Sequence, residues 1–470
     1  MRQDDVPYDV LEQIFYIHVY NNFQSRLTLL QTCHKWYKVA INYASLWRAI
    51  SWRNHNNPSP FRIFCDDVDT LARVVNRTGT GTFDLRLGNW PTTSPLKEDM
   101  ERFTSLVPQD WLSRCHLLAF CPYYRWSEPE LASLRDLLGT HSYDALGYLE
   151  FMSMMSSQMW GRMMETLMSR IESTSTGLRS LKISTGGGKE YFFEGVLKRP
   201  VILGRLRNLH IRNSEASVPW ADLPELEELW FYDGDTSLNG LTSKKLRKLT
   251  LGGGVTSVHL PERICQQLTH LTFDYLEFEA PIGMEPLKLP SLVSLSLQGS
   301  SFFLIDAPKL EELVFQISLD EVPYSYHGFQ ETTLKPRVIR LDLMIEECEY
   351  EPFTLELDIW SRVEELHLTN SHRKEDIPST LTDALSGTAS QQSFRSLKSL
   401  TVLHPAEIYE SITEETKLQQ IDHLRGIAQN RRDAGCRGLD KLEVGWYSEN
   451  GSSYNPSRAD WAITWKNCLE

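Results

Sequence analysis

The stretch nearest to a catalytic signature is Thr185-Gly186-Gly187-Gly188-Lys189-Glu190. A phosphate-cradling loop needs Ser or Thr after its lysine to hold magnesium, and a glycine five residues before the last one. Glu190 and Ile183 occupy those places, so the segment reads as a pliable connection. No Gly-x-Ser-x-Gly elbow and no His-Glu-x-x-His pair occurs, and the eight cysteines (33, 65, 115, 121, 265, 348, 436 and 468) form no Cys-x-x-Cys pair. Nucleophilic, zinc and redox chemistry each need such close constellations. The sequence therefore predicts no catalytic residue, no metal and no cofactor, with the thiols free. What remains is the chemistry of recognition. Trp230 and Tyr232 are two large aromatics one residue apart, and His210, Arg212, His270, Asp274, Asp342 and His367 recur at related places. Aromatic residues and arginine are what binding hot spots favour.

Those residues owe their placement to a repeat. One phrase, apolar-x-x-Leu-x-apolar, recurs as Leu178-x-x-Leu181-x-Ile183, Leu206-x-x-Leu209-x-Ile211, Leu226-x-x-Leu229-x-Phe231, Leu246-x-x-Leu249-x-Leu251 and Leu268-x-x-Leu271-x-Phe273. It continues at Leu295, Leu313, Val338-x-x-Leu341-x-Leu343, Leu366, Leu400 and Leu442, and degenerate copies precede it at Ile50, Leu85, Leu118 and Leu149. The closing Leu-x-apolar step has the period of a strand. A single unit cannot bury that apolar face, so neighbouring units must stack. The residues between and after the inward pair then face the opposite side of the sheet, and that side is the predicted substrate surface. A loop or the C-terminal tail folded over Trp230 and Tyr232 is the competing reading.

The pattern is that of a leucine-rich repeat without its usual Asn column, Gly or Ser standing there instead (Gly186, Ser214, Gly234, Gly254, Ser300). Early repeats step by roughly 31 to 35 residues, enough for a strand and a helix. Val68, Leu71, Ala72 and Val75 give one such helix, Ser127 to Glu130 reads as a capping box before another, and Met159, Met163, Leu167 and Ile171 give a third. Between 206 and 330 the steps shrink to roughly 18 to 28, room for loops or short turns only. A later helix follows near Leu418, Ile421, Leu424 and Ile427. Uneven units predict a horseshoe of uneven curvature with a parallel concave sheet. Trp461 and Trp465, at helical spacing, suggest a terminal cap over 448–470. Seven of the eleven methionines lie between 152 and 168, as core filling under a helix or as an adaptable groove. The Glu pairs 227-228, 311-312 and 364-365 are a solvated face or an acidic stripe.

The first 46 residues have another period. Val10, Leu11, Ile14, Phe15 and His18 share a face of one short helix; Leu27 and Leu30 mark a second; Trp36, Val39, Ala40 and Tyr43 line a third. A bundle this small buries little surface and should lean on the rest of the chain or on a partner. Val6-Pro7-Tyr8-Asp9-Val10-Leu11, Ile14-Phe15, Cys33-His34-Lys35-Trp36 and Leu46-Trp47 resemble, in order and spacing, an F-box. Departures are Val6 for Leu, Asp9 for Glu and one extra residue between Cys33 and Trp36. With the repeats, the chain resembles an F-box/leucine-rich-repeat protein of the kind abundant in fungi. The resemblance implies an α/β protein: a three-helix F-box-like module at 1–46, an irregular leucine-rich-repeat solenoid at 47–447 and the cap at 448–470. It also implies docking on a Skp-type adaptor through Pro7, Leu11, Ile14, Phe15, Leu30, Cys33, Trp36 and Trp47, and through it on a cullin-RING ubiquitin ligase. The repeat would hold an unknown protein substrate. A repeat scaffold without ubiquitin transfer is the alternative.

Composition narrows the partners. A net charge of −14 argues against nucleic acid and anionic membranes. No stretch approaches the ~18 apolar residues of a spanning helix, and no leader with a cleavage site opens the sequence. The expected location is cytoplasmic, nuclear or both.

Overall fold

The structure is a computed structural model that describes residues 6–7, 10–15, 29, 31–52, 63–88, 96–121, 128–153, 158–185, 199–212, 218, 220–232, 238, 240–253, 260–274, 287–298, 305–318, 334–344, 358–370, 379–387, 394–404, 413–448 and 462–469. It is a mixed α/β protein built on long runs of parallel strands. The chain divides into two compact units, residues 1–236 with 240–244, and residues 237–239 with 245–470. The division falls inside the stretch 47–447 that the sequence groups as one repeat region.

In the first unit, β1 (Ala49–Trp52) pairs on one side with the short β2 (Ile63–Cys65) and on the other with β3 (Phe83–Leu87). The parallel ladder continues through β4 (Cys115–Phe120), β5 (Tyr148–Ser153), β6 (Ser180–Thr185), β7 (Asn208–Arg212) and β8 (Glu228–Tyr232). The register aligns Ile50, Leu85, Leu118, Leu149, Leu181, Leu209 and Leu229 in one column, and Trp52, Leu87, Phe120, Phe151, Ile183, Ile211 and Phe231 in the next. All are buried. Each such side chain contributes about 1.5–3 kcal/mol on burial, so the two columns dominate the core. Between strands run helices α3 (Val68–Arg77), α4 (Leu96–Leu106), α5 (Glu128–Thr140) and α6 (Gln158–Thr174), each packed on the next. Asp67 caps α3, its carboxylate accepting from the Thr70 N–H at 2.7 Å. Met163, Met164 and Met168 are buried under α6, whereas Met152 is exposed. Ser127, expected to open α5, and the loop 186–190 lie outside the described residues.

The second unit repeats the ladder with β9 (Lys248–Gly252), β10 (His270–Asp274), β12 (Ser294–Gln298), β14 (Glu312–Ser318), β15 (Val338–Met344), β16 (Glu365–Asn370), β17 (Ser399–His404) and β18 (Lys441–Ser448), all parallel. A separate two-stranded ladder joins β11 (Leu287–Lys288) to β13 (Ile305–Asp306), and a six-residue helix, Glu262–Gln267, stands where the short spacing suggested only loops or turns. Helices α7 (Ser379–Ser386) and α8 (Glu414–Asp433) pack together near its end. On α8, Ile421, Leu424 and Ile427 are buried and Leu418 is exposed.

Two expectations are corrected here. The strand pairing places Ile339 opposite Leu313 and Leu366, and Leu341 opposite Phe315 and Leu368. The phrase read at Val338-x-x-Leu341-x-Leu343 is therefore two residues out of register. An apolar run alternating at Ile339, Leu341 and Leu343 satisfies a period of two equally well in either frame, so only the neighbours choose. Among the described residues the tail is a strand and not a helix: Ala462–Asn467 forms β19, antiparallel to β18. It covers the last edge of the ladder, which would otherwise offer unpaired N–H and C=O groups.

The positions of the missing Asn column, 186, 214, 234, 254 and 300, lie outside the described residues. At successive strand entries one carbonyl accepts two N–H groups from the next repeat: Gly147 from Arg179 and Ser180, Arg179 from Arg207 and Asn208, and Arg207 from Glu227 and Glu228. The second unit repeats the arrangement at Arg247, Thr269, Val293, Glu311, Arg337, Glu364 and Lys398. Backbone polar groups at the strand entries are thus paired between repeats.

Candidate functional site

Two surfaces gather the predicted residues. The first is the N-terminal module. Residues 10–15 form helix α1, and α2 (His34–Asn42) lies against it, with the Phe15 and Trp36 rings 5.1 Å apart. Lys35 Nζ donates to Val6 O at 2.9 Å. The face read as one stripe is split in two. Leu11 and Phe15 are buried, at 1% and 0% exposure, while Val10 and Ile14 stand at 43% and 42%. Pro7 and Tyr37 are exposed as well. Pro7, Val10 and Ile14 are therefore open at the surface, whereas Leu11 and Phe15 hold the module together. Cys33 serves as the N-cap of α2, its Sγ 3.5 Å from the Trp36 N–H, and Trp36 is half-buried. Trp47, at 5% exposure, donates through Nε1 to Ala40 O at 2.9 Å and is turned into the protein. Leu30 and His18 lie outside the described residues.

The second surface is the solvent side of β3 to β8. Register sets Arg86, Ala119, Glu150, Lys182, His210 and Trp230 side by side, one per strand. Glu150 is buried at 2% exposure between Lys182 Nζ at 2.9 Å and Arg86 Nη1 at 2.7 Å. The intervening Ala119 leaves room for Arg86 to cross a strand. His210 lies flat on Trp230, with centroids 4.7 Å apart and planes 12° apart; Tyr232 follows at 6.4 Å. Trp230 Nε1 donates to Glu228 Oε1 at 2.6 Å, which fixes the indole. Burial lowers the His210 pKa, Lys182 pushes the same way, and Glu228 and Glu150 oppose them. His210 is thus held neutral, an aromatic shelf rather than a cation. Trp230 keeps 36% of its surface open. Arg212 lies opposite Tyr232 in the register and is exposed.

The other predicted contact residues belong to the second unit. His270 and Asp274 are on β10, and Asp342 and His367 are on β15 and β16, separated from β10 by β12 and β14. The corrected register puts Arg340, not Asp342, beside His367, and Asp342 beside Thr369. Arg340 Nε donates to Glu312 Oε1 at 2.7 Å. Burial lowers the His367 pKa, and Arg340 adds to it. One glutamate of each pair is engaged by cations of adjacent repeats: Glu227 with Arg207, Glu312 with Arg340, and Glu364 with both Arg337 and Lys398. Lys398 and Arg337 hold the Glu364 carboxyl down to about 2. These three carboxylates tie neighbouring repeats together, while Glu365 keeps 53% of its side chain exposed.

Sequence reasoning missed Glu150, Arg86 and Arg431. Arg431 is fully buried on α8 and donates to Leu385 O at 2.8 Å and Phe394 O at 3.0 Å. No local pattern flags an arginine whose acceptors are distant carbonyls. Burial, with nearby Asp67 and Asp66 charges, pushes the Cys65 thiol up to about 12, and burial raises Cys115 too, so neither is a thiolate nucleophile. Among the described residues no group of three or more His, Cys, Asp or Glu side chains is placed to hold a metal ion, and no helix is long and apolar enough to cross a membrane.

Comparison with known proteins adds one family. The F-box-like family matches residues 3–53, which takes in the helical module and β1. No curated protein matches the chain. F-box domains bind Skp-type adaptors in SCF complexes and F-box proteins are typically non-catalytic receptor subunits, so the N-terminal domain suggests an adaptor-binding, substrate-receptor role.

Proposed function

We propose that the chain is the substrate-recognition subunit of an SCF-type E3 ubiquitin ligase, an F-box/leucine-rich-repeat protein acting in the cytoplasm, the nucleus or both. The F-box-like match at 3–53 carries this reading, and the register-aligned parallel repeat that follows supports it. In this reading residues 1–46 dock on the Skp-type adaptor, 47–447 form the leucine-rich repeat and 448–470 close it. The open apolar face of Val10 and Ile14 meets the adaptor, and the His210–Trp230–Tyr232 shelf anchors a target protein. The chain contributes no reacting group. It raises the effective concentration of the target's lysines near a charged ubiquitin-transfer enzyme.

Co-expression with a Skp-type adaptor followed by size-exclusion chromatography tests the assignment. A stoichiometric complex is the expected result; a monomer that ignores the adaptor overturns it. A complex whose captured partners never acquire ubiquitin would identify a scaffold instead.

A further inference from the structure

We propose that the segment held by the His210–Trp230–Tyr232 shelf is acidic: an extended stretch of a partner protein with an aspartate or glutamate about three residues from an apolar anchor. This segment is the target of the receptor reading above, so its role rests on that reading, while the geometry lies wholly within the first unit.

The solvent side of the ladder opens toward β6, β7 and β8. Along its middle row Ala119 is fully buried and Glu150 keeps 2% of its surface, whereas the Lys182 side chain keeps 37% and Trp230 keeps 36%. The charges that stay in reach there are cations. Glu150 is taken up between Arg86 and Lys182, and Lys182 gives it one contact, at 2.9 Å, of the three an ammonium can make. The next row along the strands, Met152, Ser184, Arg212 and Tyr232, carries one charge, the exposed Arg212. The other carboxylates of this side lie in the row at the strand entries. Glu228 is there, its Oε1 accepting the indole N–H of Trp230 at 2.6 Å, and so is Asp84, 3.3 Å from His116 Nδ1.

Ring packing and charge together select the ligand. His210 covers one face of Trp230, which leaves the open part of the indole and the Tyr232 ring, 6.4 Å away, to an apolar side chain. An indole face can also take a cation, but a cation here would stand beside Lys182 and Arg212 and be repelled by both. A carboxylate is attracted by both. Lys182 and Trp230 are two strands apart, about 10 Å at the usual strand spacing, and an extended chain crosses that distance in about three residues. The segment therefore crosses the strands with its anchor on Trp230 and its carboxylate at Lys182. Arg212, one strand from Tyr232, favours a second acidic group beside the anchor.

The test pans phage-displayed random peptides on the immobilised full chain. Enriched sequences are then synthesised with a fluorescein label and titrated by fluorescence polarisation. The expected consensus is Asp or Glu about three residues from Phe, Trp or Leu, without Lys or Arg between them. Exchanging the peptide's acidic residue for its amide should cost about tenfold in affinity. Trp230→Ala with Tyr232→Ala should lose every such peptide. Lys182→Met should weaken the acidic peptide by about tenfold and leave its amide counterpart unchanged, a difference that a merely structural role would not produce. Arg212→Glu, at an exposed position, should cut the preference for the acidic peptide over a lysine-substituted one by about tenfold. A basic or uncharged consensus, acid and amide peptides of equal affinity, or enriched peptides that ignore the Trp230 and Tyr232 substitutions overturn the proposal. Adaptor binding is read separately, so its failure strikes the receptor reading and leaves the peptide preference standing.

Discussion

The division of the first helix into an inner and an outer face makes a sharp prediction. Val10 and Ile14 each keep about two-fifths of their surface open. Full burial of such a side chain is worth about 1.5–3 kcal/mol, so covering the remainder on binding contributes about 1 kcal/mol each. Truncating both to alanine should cost about 2 kcal/mol, roughly 30-fold in adaptor affinity. Val10→Asp with Ile14→Asp adds the desolvation of two carboxylates, and the loss should exceed roughly a thousandfold. Because neither side chain supports the core, the melting temperature should stay near that of wild type. Leu11→Ala with Phe15→Ala should behave in the opposite way. These residues are fully buried and Phe15 packs on Trp36, so the pair should lose about 5–10 kcal/mol, enough to unfold a small module. Calorimetric titration with a Skp-type adaptor, beside thermal melts followed by circular dichroism, separates the two. An aspartate double variant that binds with wild-type affinity would refute the assignment of this face.

Three further outcomes follow from the structure. Trp230→Ala with Tyr232→Ala should weaken target capture by about 30-fold, the loss of one hot spot of about 2 kcal/mol, without touching adaptor binding; retention of every captured partner would place the substrate surface elsewhere. Arg431→Met should destabilise the α7–α8 region by about 3 kcal/mol, since three carbonyls lose a charged donor and the relief of burying the guanidinium returns only part; hydrogen exchange of α8 reads this locally, and unchanged protection would contradict it. The lowered pKa of His210 means that the unfolded chain takes up a proton near pH 6.5 while the folded chain resists, so the first unit should lose stability as pH falls from 7.5 to 5.5. His210→Gln should flatten that dependence in thermal melts, and an equally steep profile in the variant would assign it to another group.

Much of the repeat was legible in the sequence because its signal is local. A leucine two residues before another apolar side chain reports a strand with one buried face wherever it occurs. The columns at Leu149, Leu181, Leu209 and Leu229 are read off that spacing and reappear in the strand register. The helix at Val68–Arg77 follows likewise from the apolar period of Val68, Leu71, Ala72 and Val75. The candidate shelf was half legible. Alternation put His210, Arg212, Trp230 and Tyr232 on the side opposite the core, but nothing in the spacing says that His210 stacks on Trp230 or that Glu228 pins the indole.

What the sequence by itself determined is therefore the run of repeat strands, most of their inward residues and the N-terminal F-box resemblance, all carried by patterns within a few residues of each other. The tertiary structure decided what depends on residues far apart in the chain. It chose the frame of β15 by its neighbours β14 and β16, since an alternating apolar run fits two frames equally. It made a strand of the tail, because the open edge of β18 offers hydrogen bonds that the helical spacing of two tryptophans cannot outweigh. It turned Leu11 and Phe15 inward and left Val10 and Ile14 outside, since a helix face becomes core only where another element covers it. And it buried Glu150 between Arg86 and Lys182, a charge that only the convergence of three strands can hold.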